Sequence, residues 1–182
     1  MSPRIRAAWA GANLAAPAYT VSCARGDNLG VHVAVTRCPA GSALVVDVGG
    51  LAERGYWGEV LTTAAEAAGI SGLVIDGGVR DVSALASHGF PVFSSMIALT
   101  GATKTGGGSV EGTIDVGDVT VQNGDWVVGD ADGVTVVPSG RLDEVLAAGR
   151  ARAAKETRMF EELRAGKTTL ELLGVDPSPI TT

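Results

Sequence analysis

The sequence predicts an α/β fold, and three observations carry that expectation. Short apolar runs bounded by glycine or proline alternate with segments of helical periodicity through the middle of the chain. Glycine supplies 26 of 182 residues, about twice the usual share of ~7%, which points to many tight turns and close backbone approaches. Hydrophobic residues make up 46% and charged residues 19%, a globular composition for one domain of ordinary size. A core of about residues 10–138 is expected, followed by a C-terminal helix and tail over 139–182.

Strands are predicted at Pro17–Cys23, Ala43–Val48, Gly72–Asp76, Pro91–Ser94, Val116–Val121, Trp126–Val128 and Gly133–Val137. Between the second and third, Tyr56–Gly69 reads as a helix. It sets Trp57, Val60, Leu61, Ala64, Ala65 and Ala68 on one face and stops at a glycine. A shorter helix, Asp81–His88, starts with an acid and is followed by Gly89 and Pro91. Turns are expected at Asn123-Gly124 and Asp132-Gly133. Arg141 to about Ala165 reads as one long charged helix, with Leu142, Val145, Leu146, Met159, Phe160 and Leu163 forming an apolar seam. That seam packs either on its own domain or on a neighbouring subunit. Leu172–Thr182, with Pro177 and Pro179, reads as a loose arm.

Charge and cysteine content exclude several function classes. The net charge is -6, and the excess lies in residues 1–138, with seven Lys/Arg against thirteen Asp/Glu. No basic stripe is present to meet nucleic-acid phosphates or an anionic membrane surface. Cys23 and Cys38 alone do not make a disulfide scaffold, which suits a reducing cytoplasm. No apolar run approaches the ~18 residues of a membrane span, and the first twenty residues lack the apolar stretch of a signal peptide. A soluble cytoplasmic protein is expected.

The missing constellations narrow the chemistry. His32 and His88 lie far apart without zinc-ligand spacing, and no G-x-S-x-G elbow or Walker sequence occurs. Lys104-Thr105-Gly106-Gly107-Gly108 resembles a phosphate cradle only loosely and reads as a mobile turn. The informative segment is Leu73–Asp81, an apolar strand entering a Gly77-Gly78 turn that delivers Arg80-Asp81 to a helix start. Ligands in α/β proteins commonly bind beyond the carboxyl ends of strands. Arg80 can fork onto a carboxylate or a developing enolate, and Asp81 can hold a hard divalent cation. Alternatively, Asp81 caps its own helix and Arg80 pairs with it. Glu59, at the start of the preceding helix, is placed near both by the strand–helix–strand spacing, or serves only the helix dipole.

At these residues the sequence resembles the RraA-like family, which includes the class II 4-hydroxy-4-methyl-2-oxoglutarate/4-carboxy-4-hydroxy-2-oxoadipate aldolases. The signature is an acid, twenty residues and Arg-Asp, here Glu59-x20-Arg80-Asp81. Gly26-Asp27-Asn28, Leu44–Asp47, Phe90–Phe93, Gly124-Asp125-Trp126, Asp130–Val134 and Lys155-Glu156 match in the same order over roughly residues 10–165. The resemblance implies a three-layer β/β/α swivelling fold, like the phosphohistidine domains, with a C-terminal helix. It also implies trimers or dimers of trimers with active sites between subunits.

The same resemblance implies a metal-dependent lyase that cleaves a C–C bond of a 2-oxo acid. Asp81 would bind Mg²⁺ or Mn²⁺ directly, and Glu59 with a neighbour's Glu156 would hold metal-bound water. Arg80 would contact the keto oxygen, and the backbone N–H groups of Val60 and Leu61 would bind the pyruvate carboxylate. Lys104, the single lysine before residue 139, is the candidate for a distal carboxylate. Oxaloacetate decarboxylation is the expected side activity. The family also contains protein-binding inhibitors of ribonuclease E, which form the alternative reading alongside another enzyme on the same scaffold. Two departures bear on substrate choice: the chain starts close to the first strand motif where the family has a helical segment, and Ser94–Thr100 lacks an arginine-rich form.

Overall fold

The computed structural model describes residues 1–180. They divide into two compact units at Ser139/Gly140. In the first unit the elements run β1 (Arg6–Ala7), β2 (Leu14–Cys23), α1 (Leu29–Arg37), β3 (Ala43–Asp47), β4 (Gly55–Trp57), α2 (Glu59–Ala67), β5 (Gly72–Val79), α3 (Val82–His88) and β6 (Val92–Ile97). They continue with β7 (Gly108–Val110), β8 (Ile114–Val116), β9 (Val119–Val121), β10 (Trp126–Asp130) and β11 (Gly133–Val137). The expected mixed α/β architecture is what the structure shows.

One sheet of nine strands holds the unit together in the order β1-β6-β5-β3-β2-β10-β11, with β4 added to β5 and β7 to β2. The centre, β2-β3-β5-β6, is parallel, and β10 and β11 extend it antiparallel. β8 and β9 form a separate hairpin. Alternation along β3 explains the layering. Leu44 and Val46 join a core with Val31, Ala34, Leu61, Ala65 and Leu85 from α1, α2 and α3. Ala43 and Val45 face the other way, onto Ile5, Phe93, Ile114, Val116 and Val127. A strand buried on both faces reads as an unbroken apolar run, which is why Ala43–Val46 is evident in sequence. The result is helices on one side of the sheet and a second β layer on the other, the three layers of the expected fold.

Several expectations are corrected. Val116–Val121 is not one strand: Gly117 and Asp118, both at positive φ, turn the chain between β8 and β9. Tyr56 and Trp57 are strand residues, and α2 begins only at Glu59. The helical face is narrower than predicted, since Val60 and Ala64 are exposed while Leu61, Thr62 and Ala65 are buried. Gly77-Gly78 is no turn. β5 runs through both glycines to Val79, with its register against β6 shifting between Ile75 and Gly78. Glycine is required there by crowding, because a Cβ on Gly78 would stand 2.4 Å from the Arg54 carbonyl oxygen. The core also starts before residue 10: Ile5 is fully buried, and the Met1 ammonium donates to the Val134 carbonyl at 2.8 Å. Both cysteines are free and buried, and burial pushes each thiol up to about 11.

The second unit comprises α4 (Leu142–Arg164) and α5 (Thr169–Leu173). α4 has acids Asp143 and Glu144 in its first turn, complementing the helix dipole, yet none of its residues is fully buried. Thr168 and Glu171 form a reciprocal capping box that starts α5, so the predicted loose arm is helical at Leu172–Leu173 and closes on Gly174 at φ 63°. The last two residues of that arm lie outside the described residues. Glu156 pairs with Arg152 one turn earlier, at 2.7 Å.

Candidate active site

Arg80 and Asp81 are the two residues between the end of β5 and the start of α3. β4 lies beside them, because the Arg80 N–H donates to the Trp57 carbonyl at 2.9 Å. Trp57 is anchored from both sides. Its ring stacks on Phe90 with centroids 5.9 Å apart, and its Nε1 donates to Thr62 Oγ1 at 2.7 Å inside α2. The N-terminus of α2 is thereby fixed over the end of β5.

Asp81 does not cap its own helix. Its Oδ2 accepts the backbone N–H of Glu59 at 3.0 Å, at the head of α2, while its side chain makes no capping bond to α3. It also lies 3.8 Å from Arg80 Nε. To reach across, Asp81 adopts φ 59°, ψ 35°, a left-handed conformation unusual for a residue with a Cβ. Gly58 leaves the room it needs, since a Cβ there would come within 2.4 Å of Asp81 Oδ2.

The three N–H groups at the head of α2 have no partner within the helix. Asp81 takes that of Glu59, which leaves those of Val60 and Leu61, two residues that line an adjoining cavity of about 150 Å³. Arg80 lines this cavity, with Lys104 and Gly101 from the segment after β6. Asn28, just before α1, and His32 within it line the cavity beside β4, and neither stands out from the sequence as a site residue. Asn28 is 5% exposed; its Nδ2 donates to the Tyr56 carbonyl at 2.8 Å, and its Oδ1 has no partner. His32 Nε2 is likewise buried and unpartnered. Burial and the charge of Lys104 push its imidazole below the ordinary histidine range, against the pull of Asp27. Buried polar atoms without partners are rare in folded proteins, so two of them on one cavity wall mark a place for a polar ligand. Gly26-Asp27-Asn28 was a local signal for Asn28; His32 had none, because its cavity is assembled from distant segments.

Of the predicted residues, Arg80, Val60, Leu61 and Lys104 thus line one cavity, and Asp81 adjoins it beside Arg80. The Glu59 side chain lies against His88, with Oε1 3.7 Å from Nε2, while His88 Nδ1 meets Glu66 at 2.8 Å. Glu156 belongs to the second unit. The turn expected to be mobile at Lys104–Gly108 is instead held at its base. Asp27 Oδ2 accepts Thr103 Oγ1 at 2.7 Å and the N–H groups of Thr105 and Gly106 at 2.7 and 2.8 Å.

No cluster of three or more His, Cys, Asp or Glu side chains suited to a metal occurs among the described residues. A fully protein-caged ion such as structural zinc does not fit this arrangement. Asp81 offers a hard carboxylate with one oxygen free of hydrogen bonds, at an exposed position where water can fill other sites. That suits Mg²⁺ or Mn²⁺, which keep several waters and need few protein oxygens.

A family model described as RraA-like, Aldolase/RraA, matches residues 1–136. The chain belongs to the RraA-like family. A relative from Halalkalibacterium halodurans, named "Putative 4-hydroxy-4-methyl-2-oxoglutarate aldolase", is 38% identical over 148 residues, 81% of this chain and 68% of its own length. Among solved structures, an uncharacterized protein from Pseudomonas syringae superposes with TM-score 0.83 at 30% identity, covering 91% of this chain and 78% of that one. The RNA-processing inhibitor RraA from Thermus thermophilis superposes with TM-score 0.69 at 26% identity, covering 76% and 84%. No helix among the described residues is long and apolar enough to cross a membrane.

Proposed function

We propose that this RraA-like protein is a divalent-metal-dependent lyase that cleaves a C–C bond of a small 2-oxo acid, working in the cytoplasm as a homotrimer or hexamer. The observation that carries this reading is the cavity itself. Two cations, Arg80 and Lys104, share about 150 Å³ with the free N–H groups of α2 and two orphaned buried polar atoms. Such a lining suits a compact, oxygen-rich anion, and the volume is below the ~300 Å³ typical of pockets for larger ligands.

Asp81 is the residue that would hold Mg²⁺ or Mn²⁺, which when bound supplies a Lewis acid for the substrate's carboxylate and keto oxygens. The N–H groups of Val60 and Leu61 bind the carboxylate at the helix head. Arg80 faces the keto oxygen and stabilises the negative charge that develops there as the C–C bond breaks. In a 4-hydroxy-2-oxo diacid the 4-hydroxyl proton leaves and its O–H electron pair forms the C4=O of a released oxo acid, while the C3–C4 pair moves towards C3 and the keto oxygen and C3 then takes a proton to give pyruvate. Water oriented by Glu59 and by Glu156 of a neighbouring copy takes the hydroxyl proton. Lys104 pairs with the distal carboxylate. With oxaloacetate the same electron flow releases CO₂.

The test is pyruvate release, coupled to lactate dehydrogenase, from 4-hydroxy-4-methyl-2-oxoglutarate and oxaloacetate with Mg²⁺, Mn²⁺ or EDTA. Metal-dependent turnover lost in Asp81→Ala is the expected result. A folded protein inactive on both compounds overturns the reading.

The likeness to the RNA-processing inhibitor RraA favours one alternative, a protein-binding regulator of ribonuclease E. Inhibition of that nuclease that survives Asp81→Ala and Arg80→Ala, without lyase activity, would decide for it.

A further inference from the structure

We propose that Asp27 is a positioning residue that holds Lys104 against the Asn28/His32 wall of the cavity. Asp27 is 2% exposed and makes four hydrogen bonds. One oxygen accepts the Leu29 N–H at 2.8 Å, at the head of α1, and the other accepts three donors from residues 103–106. Backbone pairing reinforces the join: Thr103 N–H donates to Gly26 and Asn28 N–H donates to Thr103, both at 2.9 Å. A single carboxylate therefore ties the helix that presents Asn28 and His32 to the loop that presents Lys104.

The Asp27 carboxyl stays ionised for a physical reason. Burial pushes its pKa up, but the bonds from Thr103, Leu29, Gly106 and Thr105 outweigh burial and hold it far below the usual carboxylate range. The close fit is visible at Gly106, where a Cβ would meet Asp27 Cγ at 2.9 Å. Lys104 itself has no ion-pair partner among the described residues. A lysine with four rotatable bonds on an untethered loop would leave the cavity for water. With Thr103, Thr105 and Gly106 fixed on either side, its backbone cannot move away.

His32, on the wall that Lys104 is held against, supplies a readout that needs no substrate. Lys104 depresses the His32 titration, and the chain has only two histidines, so the two ring signals are separable by NMR with His88→Asn as assignment control. In the otherwise unchanged full-length protein, Lys104→Ala should move the His32 titration upward, because a positive charge that disfavours the imidazolium is gone. In the Asp27→Asn background the same substitution should move it less than a third as far, because the loop no longer holds the ammonium in place. Thr103→Val removes one of the three loop bonds and should give an intermediate response, which preserves the test should Asp27→Asn fail to fold. A Lys104 effect on His32 that is absent from the parent protein, or undiminished in both loop variants, overturns the proposal.

The ligand arm rests on the 2-oxo acid reading of the cavity. With Mg²⁺ present, Asp27→Asn and Lys104→Ala should each weaken binding of 2-oxoglutarate about tenfold, leave pyruvate within twofold, and show no further loss when combined. Equal weakening of both acids in Asp27→Asn would make Asp27 a general fold determinant and overturn the proposal. If the parent binds neither acid while the His32 cycle behaves as expected, the clamp on Lys104 stands and the 2-oxo acid reading falls.

Discussion

The Asp81 carboxylate accepts the backbone N–H of Glu59 across 22 positions of sequence, joining the end of β5 to the head of α2 at 3.0 Å. This bond uses the first free N–H of the helix and leaves those of Val60 and Leu61, both cavity-lining residues, unengaged within it. It also sets the orientation of the Asp81 oxygens, one engaged with the helix and the other open. The pair explains why an acid at φ 59° is retained where glycine would be unstrained.

Stability and activity should therefore separate at position 81. Asp81→Ala loses the bond to Glu59 and keeps a Cβ in the left-handed region, and is expected to destabilise by about 1–3 kcal/mol. Asp81→Gly loses the same bond but relieves the backbone strain, so it should be about 1 kcal/mol more stable than the alanine variant. Urea unfolding of both proteins measures the difference. Both should lack metal-dependent lyase activity, and an active Asp81→Gly would contradict the role given to this carboxylate.

Gly58 offers a test of geometry without removal of any functional group. Its backbone is extended, at φ -169°, so alanine is conformationally allowed there. The added Cβ would nevertheless press on Asp81 Oδ2 at 2.4 Å and Arg80 Cγ at 3.0 Å. Gly58→Ala should keep its circular dichroism spectrum and lower kcat by tenfold or more, the scale expected when reacting groups are displaced by a fraction of an ångström. An unchanged kcat would show that Arg80 and Asp81 relax without cost.

Burial on both faces of a strand decides what is legible in the sequence. β3 and the apolar part of β5 are evident because both faces are buried, so every residue of Ala43–Val46 and Leu73–Ile75 is apolar. α1 was not predicted. Val31-His32-Val33-Ala34-Val35 carries valines at alternate positions, as a strand would, and only packing of Val31, Ala34 and Val35 against the sheet reveals the helical spacing. The Gly77-Gly78 pair read as a turn because glycine pairs usually punctuate structure, whereas here they admit the Arg54 carbonyl and the Val48 side chain to the strand. Arg80 and Asp81 stood out as charges at the end of an apolar strand. Asn28 and His32 did not, since a buried unpartnered atom is a property of several distant segments together.

A second carboxylate predicts the acid limit of stability. Arg4 forks onto Asp76, with Nε–Oδ1 3.0 Å and Nη2–Oδ2 2.6 Å, and its Nη1 reaches Asp118 at 2.9 Å. Burial raises the Asp76 pKa, but Arg4 and the Gly117 N–H more than offset it, so the carboxyl sits below its ordinary value. The stabilisation is complete above the unfolded carboxylate pKa of about 4 and disappears as pH falls through the lower folded value. Arg4→Ala should cost about 1–2 kcal/mol at pH 7, discounted because Arg4 is half exposed. It should also shift the midpoint of acid unfolding to higher pH. An acid midpoint unchanged by the substitution would remove Asp76 from the acid limb.

His88 predicts dependence at the opposite end of the range. Glu66, and more weakly Glu59, raise its pKa above the ordinary histidine value. A raised folded pKa means that the contribution is fully present below the unfolded value of about 6.5 and is lost as pH rises through the folded one. His88→Gln should therefore be less stable than the parent in urea at pH 5.5, and the gap should close by pH 9. Because Glu59 Oε1 is 3.7 Å from the ring, the substitution also frees that carboxylate to move towards Asp81. If Glu59 orients water for proton removal, kcat in His88→Gln should change at pH 5.5, where the parent's His88 is charged, and converge with the parent as pH rises through the raised His88 value. A pH-independent change in kcat would mean that the imidazole acts on α2 through packing rather than through its charge on Glu59.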